Sequence, residues 1–119
     1  MNSSTKFVIQ KHTTADHVHW DLMLELGDAL QTYSLELPPE KLGNRPSTAV
    51  KIFDHPFKFL TYEGSVNQGK GSVQIADDGT YQILSDTADM RCLLLNGKIL
   101  KGRLTLTHED ADKWSCSFS

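Results

Sequence analysis

A hydrophobic pattern with a period of two constrains the fold more than any other feature of this sequence. In segment 20–26, apolar residues occupy every second position, namely Trp20, Leu22, Leu24 and Leu26. The intervening positions hold Asp21, Met23 and Glu25. Side chains of an extended chain point alternately to opposite faces, so this pattern is typical of a strand with one buried face. It predicts a core face formed by Trp20, Leu22, Leu24 and Leu26, and a solvated face that carries Asp21 and Met23.

Strand-like segments recur along the rest of the chain. Further strands are predicted at 7–10, 29–35, 48–53, 60–66, 71–75, 80–84, 91–95, 98–107 and 114–118. Gly27-Asp28 and Asn96-Gly97 predict two-residue hairpins, and Asp78-Gly79 and Asn67-Gln68-Gly69 predict turns between strands. No window has a helical period, apart from one helical turn near 88–90. The pattern therefore predicts an all-β fold of roughly eight to ten short antiparallel strands, either a compact β-barrel or a sandwich.

Composition limits the function classes. With 119 residues the chain is expected to form one domain, 1–119. Its formal charge of −3 argues against nonspecific coating of nucleic acid, which depends on many Lys and Arg contacts to phosphate. The longest apolar run is three residues and the N-terminus is polar, which predicts a cytoplasmic protein without a membrane partner. Cys92 and Cys116 fit no metal-binding spacing and are expected to be reduced thiols.

Three residues could hold a metal ion. His19 and Asp21 are two positions apart on the predicted strand, so both side chains point to the same face and can reach one ion. His12, at the end of the first strand pattern, could complete a three-ligand set that leaves positions open for water and substrate. His17 is the alternative third ligand. The competing interpretation is a solvated His-x-Asp pair with no ion.

His55 is the candidate for acid–base chemistry. It lies in Asp54-His55-Pro56, where the proline is expected to end a strand. A histidine at a strand end can donate to a phosphate or exchange a proton near neutral pH. The alternative is a structural histidine that is hydrogen-bonded to the adjacent loop.

Several segments together resemble one known family. They are 7–12 (Phe-Val-Ile-Gln-Lys-His), 19–25 (His-Trp-Asp-Leu-Met-Leu-Glu), 54–56 (Asp-His-Pro), 63–64 (Glu-Gly), 71–73 (Gly-Ser-Val), 100–104 (Leu-Lys-Gly-Arg-Leu) and Trp114. In this order they resemble the 3′-phosphoesterase domain of bacterial ATP-dependent DNA ligase D, of which this chain would be a stand-alone form. The resemblance covers nearly the whole chain.

The resemblance implies a fold, an activity and a set of site residues. It implies a β-barrel that binds a divalent metal, typically Mn²⁺, with Zn²⁺ or Co²⁺ as alternatives, and that removes 3′-ribonucleosides or 3′-phosphates from nucleic-acid ends. His12, His19 and Asp21 would be the ligands, and His55 would contact the scissile phosphate. Glu25 shares the face of Asp21 and could orient a ligand. The expected partners are a nucleic-acid 3′ end or a small phosphoester, and a DNA-repair ligase or polymerase; the oligomeric state is left open.

Two positions depart from the family pattern. Met23 stands where the family has an arginine, and Phe59 where it has a tyrosine, and both family residues contact the phosphate. Basic residues that could substitute are Arg45, Lys51 and Lys58. If the face of Met23 is solvated, Met23→Arg should raise activity. The departures leave two alternatives to a weak phosphoesterase: a binding module that does not hydrolyse, and a small β-domain for protein interaction.

Overall fold

The computed structural model describes residues 5–119, which form nine antiparallel strands. They are β1 (Thr5–Thr14), β2 (Val18–Leu26), β3 (Ala29–Leu35), β4 (Ser47–His55), β5 (Gly64–Val66), β6 (Gly71–Asp86), β7 (Met90–Gly97), β8 (Lys101–Asp110) and β9 (Lys113–Phe118). Single turns of 3₁₀ helix occur at Pro39–Lys41, Phe57–Leu60 and Asn67–Gly69. Within this part of the chain, no helix is long and apolar enough to cross a membrane. The predicted all-β class and strand number are confirmed.

The nine strands belong to one sheet that closes on itself. Their order is β1-β2-β3-β4-β9-β8-β7-β6-β5, and β1 also pairs with β6. Eight strands therefore form a barrel-like ring, and β5 is attached outside it to the first residues of β6. Closure leaves few unpaired strand edges within the ring.

The interior of the ring holds the main apolar core. Its buried members are Phe7, Ile9, Leu22, Leu24, Tyr33, Leu35, Leu42, Ala49, Tyr81, Leu93, Leu95, Leu100, Leu104, Leu106 and Cys116. The predicted core face is confirmed at Leu22 and Leu24, and Trp20 packs against this core while partly buried. Leu26, at the end of β2, is only half-buried and is not part of the core cluster. Both cysteines are free thiols, as expected.

A second apolar cluster covers the opposite face of β1 and β2. Val8 pairs with Met23 across the two strands, and with Leu30 they are fully buried beneath Phe59 and Leu60. The prediction that Met23 lies on a solvated face is wrong. Alternation identifies which residues share a face, but the cover comes from the Phe57–Leu60 turn, which is distant in sequence.

Two glycine-containing dipeptides do not form the predicted turns. Asp78-Gly79 lies within the continuous strand β6, where a Cβ at Gly79 would come within 2.1 Å of the Asn96 carbonyl oxygen. Glycine is needed there for the close approach of β6 and β7, not for a turn. Asn96 still pairs with Lys101, and the Gly97 N–H donates to the Leu100 carbonyl, so the β7–β8 turn lies at 97–100 with Lys98 and Ile99 as its central residues, two positions later than predicted.

The buried carboxylate of Asp77 explains the position of that turn. Its Oδ1 accepts hydrogen bonds from the backbone N–H groups of Lys98 and Ile99, at 2.8 and 3.0 Å, and its Oδ2 accepts one from Leu100 at 2.9 Å. A side chain from another strand thus satisfies three consecutive donors of the turn. Local turn propensity at Asn96-Gly97 is overridden by this contact.

Other boundaries also differ from the sequence patterns. Gly27-Asp28 does join β2 to β3 as a two-residue hairpin, with Leu26 paired to Ala29 and Gly27 at φ +69°. The predicted strand at 60–66 is instead the end of a 3₁₀ turn followed by the three-residue β5. The helical turn expected near 88–90 is a bend before β7.

Candidate metal centre

The pairing of β1 with β2 brings together the three predicted ligands. His12 lies directly opposite His19, and Gln10 lies directly opposite Asp21. Opposed residues of antiparallel strands share a face, as do residues two apart on one strand. One ligand atom from each of His12, His19 and Asp21 consequently lies within 4.8 Å of the others.

The three side chains are in close polar contact. Asp21 Oδ2 lies 3.6 Å from His12 Nδ1, and Asp21 Oδ1 lies 3.1 Å from His19 Nε2. The second contact is not aligned as a hydrogen bond, since Oδ1 has no hydrogen-bond partner. The two imidazole rings meet edge to face with centroids 4.7 Å apart. His17, the alternative ligand, is exposed in the β1–β2 turn with its ring centroid 6.0 Å from that of His19, outside the three-residue group.

The unpartnered atoms of this group suit a bound cation. His12 Nε2, Asp21 Oδ1 and Gln10 Oε1 are buried and have no hydrogen-bond partner among residues 5–119. Leaving such an atom unsatisfied costs about 1–3 kcal/mol. Gly71 keeps the space beside His12 open, because a Cβ there would lie 3.0 Å from Nε2. Two imidazoles and one carboxylate form a donor set that fits a divalent transition metal with open positions.

The two histidines differ in their electrostatics. Burial lowers the pKa of His12, and the neighbouring His19 lowers it further. The contact with the Asp21 carboxylate raises the pKa of His19. Because a metal binds neutral imidazole, His12 is already in the required form near neutral pH, whereas His19 would release its proton more readily once a cation lies beside Asp21.

His55 lies at the end of β4 and is held through one ring nitrogen. Its Nδ1 lies 2.9 Å from Thr32 Oγ1 and 3.1 Å from the Phe53 carbonyl oxygen. The Thr32 hydroxyl donates to the Leu30 carbonyl, so both partners of Nδ1 act as acceptors. This places the proton on Nδ1 and leaves Nε2 free to accept a proton or contact a ligand.

A cavity of about 180 Å³ connects His55 with the ligand cluster. It is lined by Gln10, His12, Asp21, Phe53, His55, Pro56, Phe59, Val66, Asn67 and Val73. None of these lining residues is Lys or Arg. An anion in the cavity would therefore depend on the imidazoles and on any bound cation for its positive partners.

Glu25 is not brought to this cluster. Its carboxylate accepts a hydrogen bond from the backbone N–H of Lys6 at 2.9 Å. Glu25 shares the face of Asp21, but the buried Met23 lies between them. The geometry gives its carboxylate no contact with a predicted ligand.

The three candidate basic substitutes also lie outside the cavity lining. Lys51 Nζ donates to the Ile52 carbonyl at 2.9 Å and lies 3.7 Å from Asp54 Oδ1. Lys58 places its ammonium 5.3 Å from the centroid of the Phe59 ring, and Arg45 is exposed. Phe59 itself faces the cavity, while Met23 lies in the cluster packed against it.

Sequence reasoning missed two residues of the site. Gln10 Nε2 donates to the Phe59 and Tyr62 carbonyls, at 3.1 and 2.9 Å, and so fastens the covering turn to β1. Its position two residues before His12 was a usable signal, because alternation puts both on one face. Thr32 gave no signal, since its contact with His55 depends on the irregular β3–β4 register.

The ring and the side chains on its outer face define an all-β protein with a candidate metal centre beside a histidine-lined cavity. The family model for the DNA ligase D 3′-phosphoesterase domain matches residues 10–108, and the chain belongs to that family. The resemblance noted in the sequence is thereby confirmed.

Two curated relatives are multifunctional non-homologous end joining proteins named LigD. The one from Mycolicibacterium smegmatis is 30% identical over 128 residues, covering 94% of this chain. The one from Pseudomonas aeruginosa is 30% identical over 106 residues, covering 82% of this chain. The chain spans 16% and 12% of the length of these two proteins.

Proposed function

We propose that this chain is a metal-dependent phosphoesterase that processes nucleic-acid 3′ ends, removing a terminal ribonucleoside or a 3′-phosphate. The observation that carries the proposal is the His12, His19 and Asp21 cluster, with its unpartnered acceptor atoms, beside the cavity that His55 also lines. Membership of the 3′-phosphoesterase family supports the same reaction class.

His12, His19 and Asp21 would hold the ion, with Mn²⁺ as the first candidate and Zn²⁺ or Co²⁺ compatible with the same donors. A divalent ion at such a site supplies Lewis-acid polarisation of a phosphoryl oxygen and an acidified water. In the hydrolysis, the oxygen of water bonds to phosphorus and the bond from phosphorus to the leaving oxygen breaks. The leaving oxygen takes a proton.

His55 is the residue proposed to manage charge or protons at the scissile phosphate. Thr32 and the Phe53 carbonyl hold its Nδ1–H, so the ring orientation is fixed before substrate enters. Its Nε2 can donate to the phosphate when protonated, or accept a proton when neutral. Gln10 contributes by fastening the covering turn that carries Phe59.

The activity is proposed to be weak. The cavity lining contains no Lys or Arg, and the two departures from the family pattern, Met23 and Phe59, are apolar. Loss of one donor that stabilises a transition state typically costs about 10²–10³ in rate. A phosphate site in which the ion is assisted only by imidazoles, without Lys or Arg, is consistent with slow turnover.

A non-hydrolytic module that binds metal or a phosphate terminus is the second candidate. The observation that favours it is the packing of Phe59 against the cluster of Met23, Val8 and Leu30, which puts apolar side chains at the two positions where the resemblance implies an arginine and a tyrosine. An assembly with a DNA-repair ligase or polymerase is proposed for either candidate, because both curated relatives are multifunctional proteins far longer than this chain.

The test combines turnover with metal binding. A primer-template carrying one 3′-ribonucleoside is incubated with wild type, Asp21→Asn and His55→Asn, with and without Mn²⁺, and the released nucleoside is measured. We expect release by wild type that requires Mn²⁺ and is lost in both variants, while Asp28→Asn in the exposed β2–β3 turn and His108→Asn in β8 keep it.

Calorimetry with Mn²⁺ separates the two candidates. Asp21→Asn should lose metal binding, whereas His55→Asn should retain it. Metal binding without turnover in wild type would support the binding module. Absence of both in wild type would leave the protein-interaction alternative.

A further inference from the structure

Phe53 presents an aromatic ring to solvent at the edge of the candidate site. It is 74% exposed, the largest exposure among the large hydrophobic residues from Thr5 to Ser119. The ring lies parallel to that of His55, with centroids 4.8 Å apart and 12° between the planes. One face is therefore covered by His55, and the other is open.

The fold does not need this ring to hold His55 in place. His55 Nδ1–H has two acceptors, the backbone carbonyl of Phe53 and the hydroxyl oxygen of Thr32. Both remain when the Phe53 side chain is shortened. What distinguishes Phe53 from the other exposed apolar residues is its place in the cavity lining, where its open face is available to a ligand.

We propose that the open face of Phe53 stacks on the nucleobase of the nucleoside joined to the scissile phosphate. This inference rests on the proposed function and makes Phe53 a specificity-determining residue. Bases stack on aromatic side chains regardless of sequence, because every base has a π face. In a stack of base, Phe53 and His55, the Phe53 ring lies between the base and the histidine proposed to contact the phosphate, so the base sits one ring outward from that histidine.

The same cavity disfavours the alternative substrate, a bare 3′-phosphate. A terminal phosphate carries up to two negative charges near neutral pH, whereas a phosphodiester carries one. The cavity offers no Lys or Arg, and much of its wall is apolar, with Phe59, Val66 and Val73 among the lining residues. Because the positive partners in the cavity are the imidazoles and the proposed ion, we expect a 3′ end that still carries a nucleoside to be preferred, since its base supplies affinity that Lys and Arg side chains do not.

The first test compares two primer-templates that differ only in the terminal unit, a ribonucleoside or the same ribose without a base. Phe53→Ala should lower kcat/KM on the base-bearing end about 5- to 150-fold more than on the abasic end, the range expected for loss of one base–aromatic stack. Phe53→Trp should restore the preference. Leu94→Ala, which removes an exposed apolar side chain from β7, serves as the matched control and should not change the ratio.

The second test reads binding without turnover. An oligonucleotide ending in 2-aminopurine riboside is titrated, with Mn²⁺ present, with His55→Asn, with His55→Asn/Phe53→Ala and with wild type; the His55 variants keep all three candidate metal ligands. Fluorescence quenching of the terminal base that is lost when Phe53 is replaced by alanine supports the inference, even if the wild-type protein does not hydrolyse the oligonucleotide. Equal kinetic losses on both ends, or quenching that is independent of Phe53 or absent, would overturn it.

Discussion

Replacing Met23 with arginine restores the family residue but should destabilise this protein strongly. Met23 is 1% exposed and packs with Val8 and Leu30 beneath the 57–60 turn. On the same face, Glu25 accepts the Lys6 N–H, and Asp21 lies against both histidines as the candidate metal ligand, with Oδ1 unpartnered. A guanidinium that does not displace the histidines from Asp21 would be a buried charge without a partner, which typically costs about 3–5 kcal/mol. Domains of this size are stable by only about 5–15 kcal/mol.

Urea unfolding followed by the fluorescence of Trp20 and Trp114 measures the effect. We expect Met23→Arg to lower the free energy of unfolding by about 3–5 kcal/mol, and Tm by roughly 10–20 °C. Met23→Leu conserves the volume and should cost less than about 1.5 kcal/mol. Met90→Arg introduces the same side chain at an exposed methionine and should stay within about 0.5 kcal/mol of wild type. If Met23→Arg matches Met90→Arg, the guanidinium reaches solvent or a carboxylate, and the covered-face argument fails.

Three further predictions follow from other contacts. Asp77→Ala removes the acceptor of three turn N–H groups and should lower the free energy of unfolding by about 2–4 kcal/mol in the same urea assay. Asp78→Ala is the control: it breaks only a largely exposed ion pair with Lys98 and should lower the free energy of unfolding by less than about 1 kcal/mol. Burial raises the pKa of Cys116 to about 12, so at pH 8 this thiol should stay protonated and unreactive towards a disulfide reagent until urea unfolds the chain. Cys92→Ser removes the other free thiol, so any reaction of this variant in the folded state would contradict the prediction. Thr32→Val removes one of the two acceptors of the His55 Nδ1–H and should lower the free energy of unfolding by about 1–3 kcal/mol. Nitrogen NMR of the ring should still show the Nδ1–H tautomer, because the Phe53 carbonyl remains as an acceptor. A switch to the Nε2–H tautomer would refute the role assigned to that carbonyl.

The sequence predicted the strands well and the turns poorly. Alternation in β2 identified Leu22 and Leu24 as interior residues because side-chain direction in a strand is fixed by local geometry. Turn position at 97–100 could not be read locally, since it depends on Asp77, twenty or more residues earlier in the chain. Gly79 gave a false turn signal for a related reason: its lack of a side chain serves contact with another strand.

The candidate site shows the same division between local and non-local information. The shared face of His19 and Asp21 follows from their spacing, and the addition of His12 needs only the antiparallel pairing of β1 with β2. Thr32 and the cover over Met23 required knowledge of which distant segments meet. Hydrophobic patterning marks a face as polar or apolar only when one side of the strand is solvated, and both faces of β2 are covered here.

The two departures from the family pattern are best understood as one change, because Met23 and Phe59 meet in one apolar cluster. An arginine beneath a phenylalanine would lack a partner, and a tyrosine hydroxyl alone would add one weak donor at the cavity wall. Apolar packing at both positions avoids a buried charge and stabilises the covering turn; under the proposed function it also weakens phosphate binding. The remaining recognition would then come from the proposed ion and its ligands, from His55 and from the exposed ring of Phe53. This shifts the selectivity expected of the site from the charge of a terminal phosphate to the base of a terminal nucleoside.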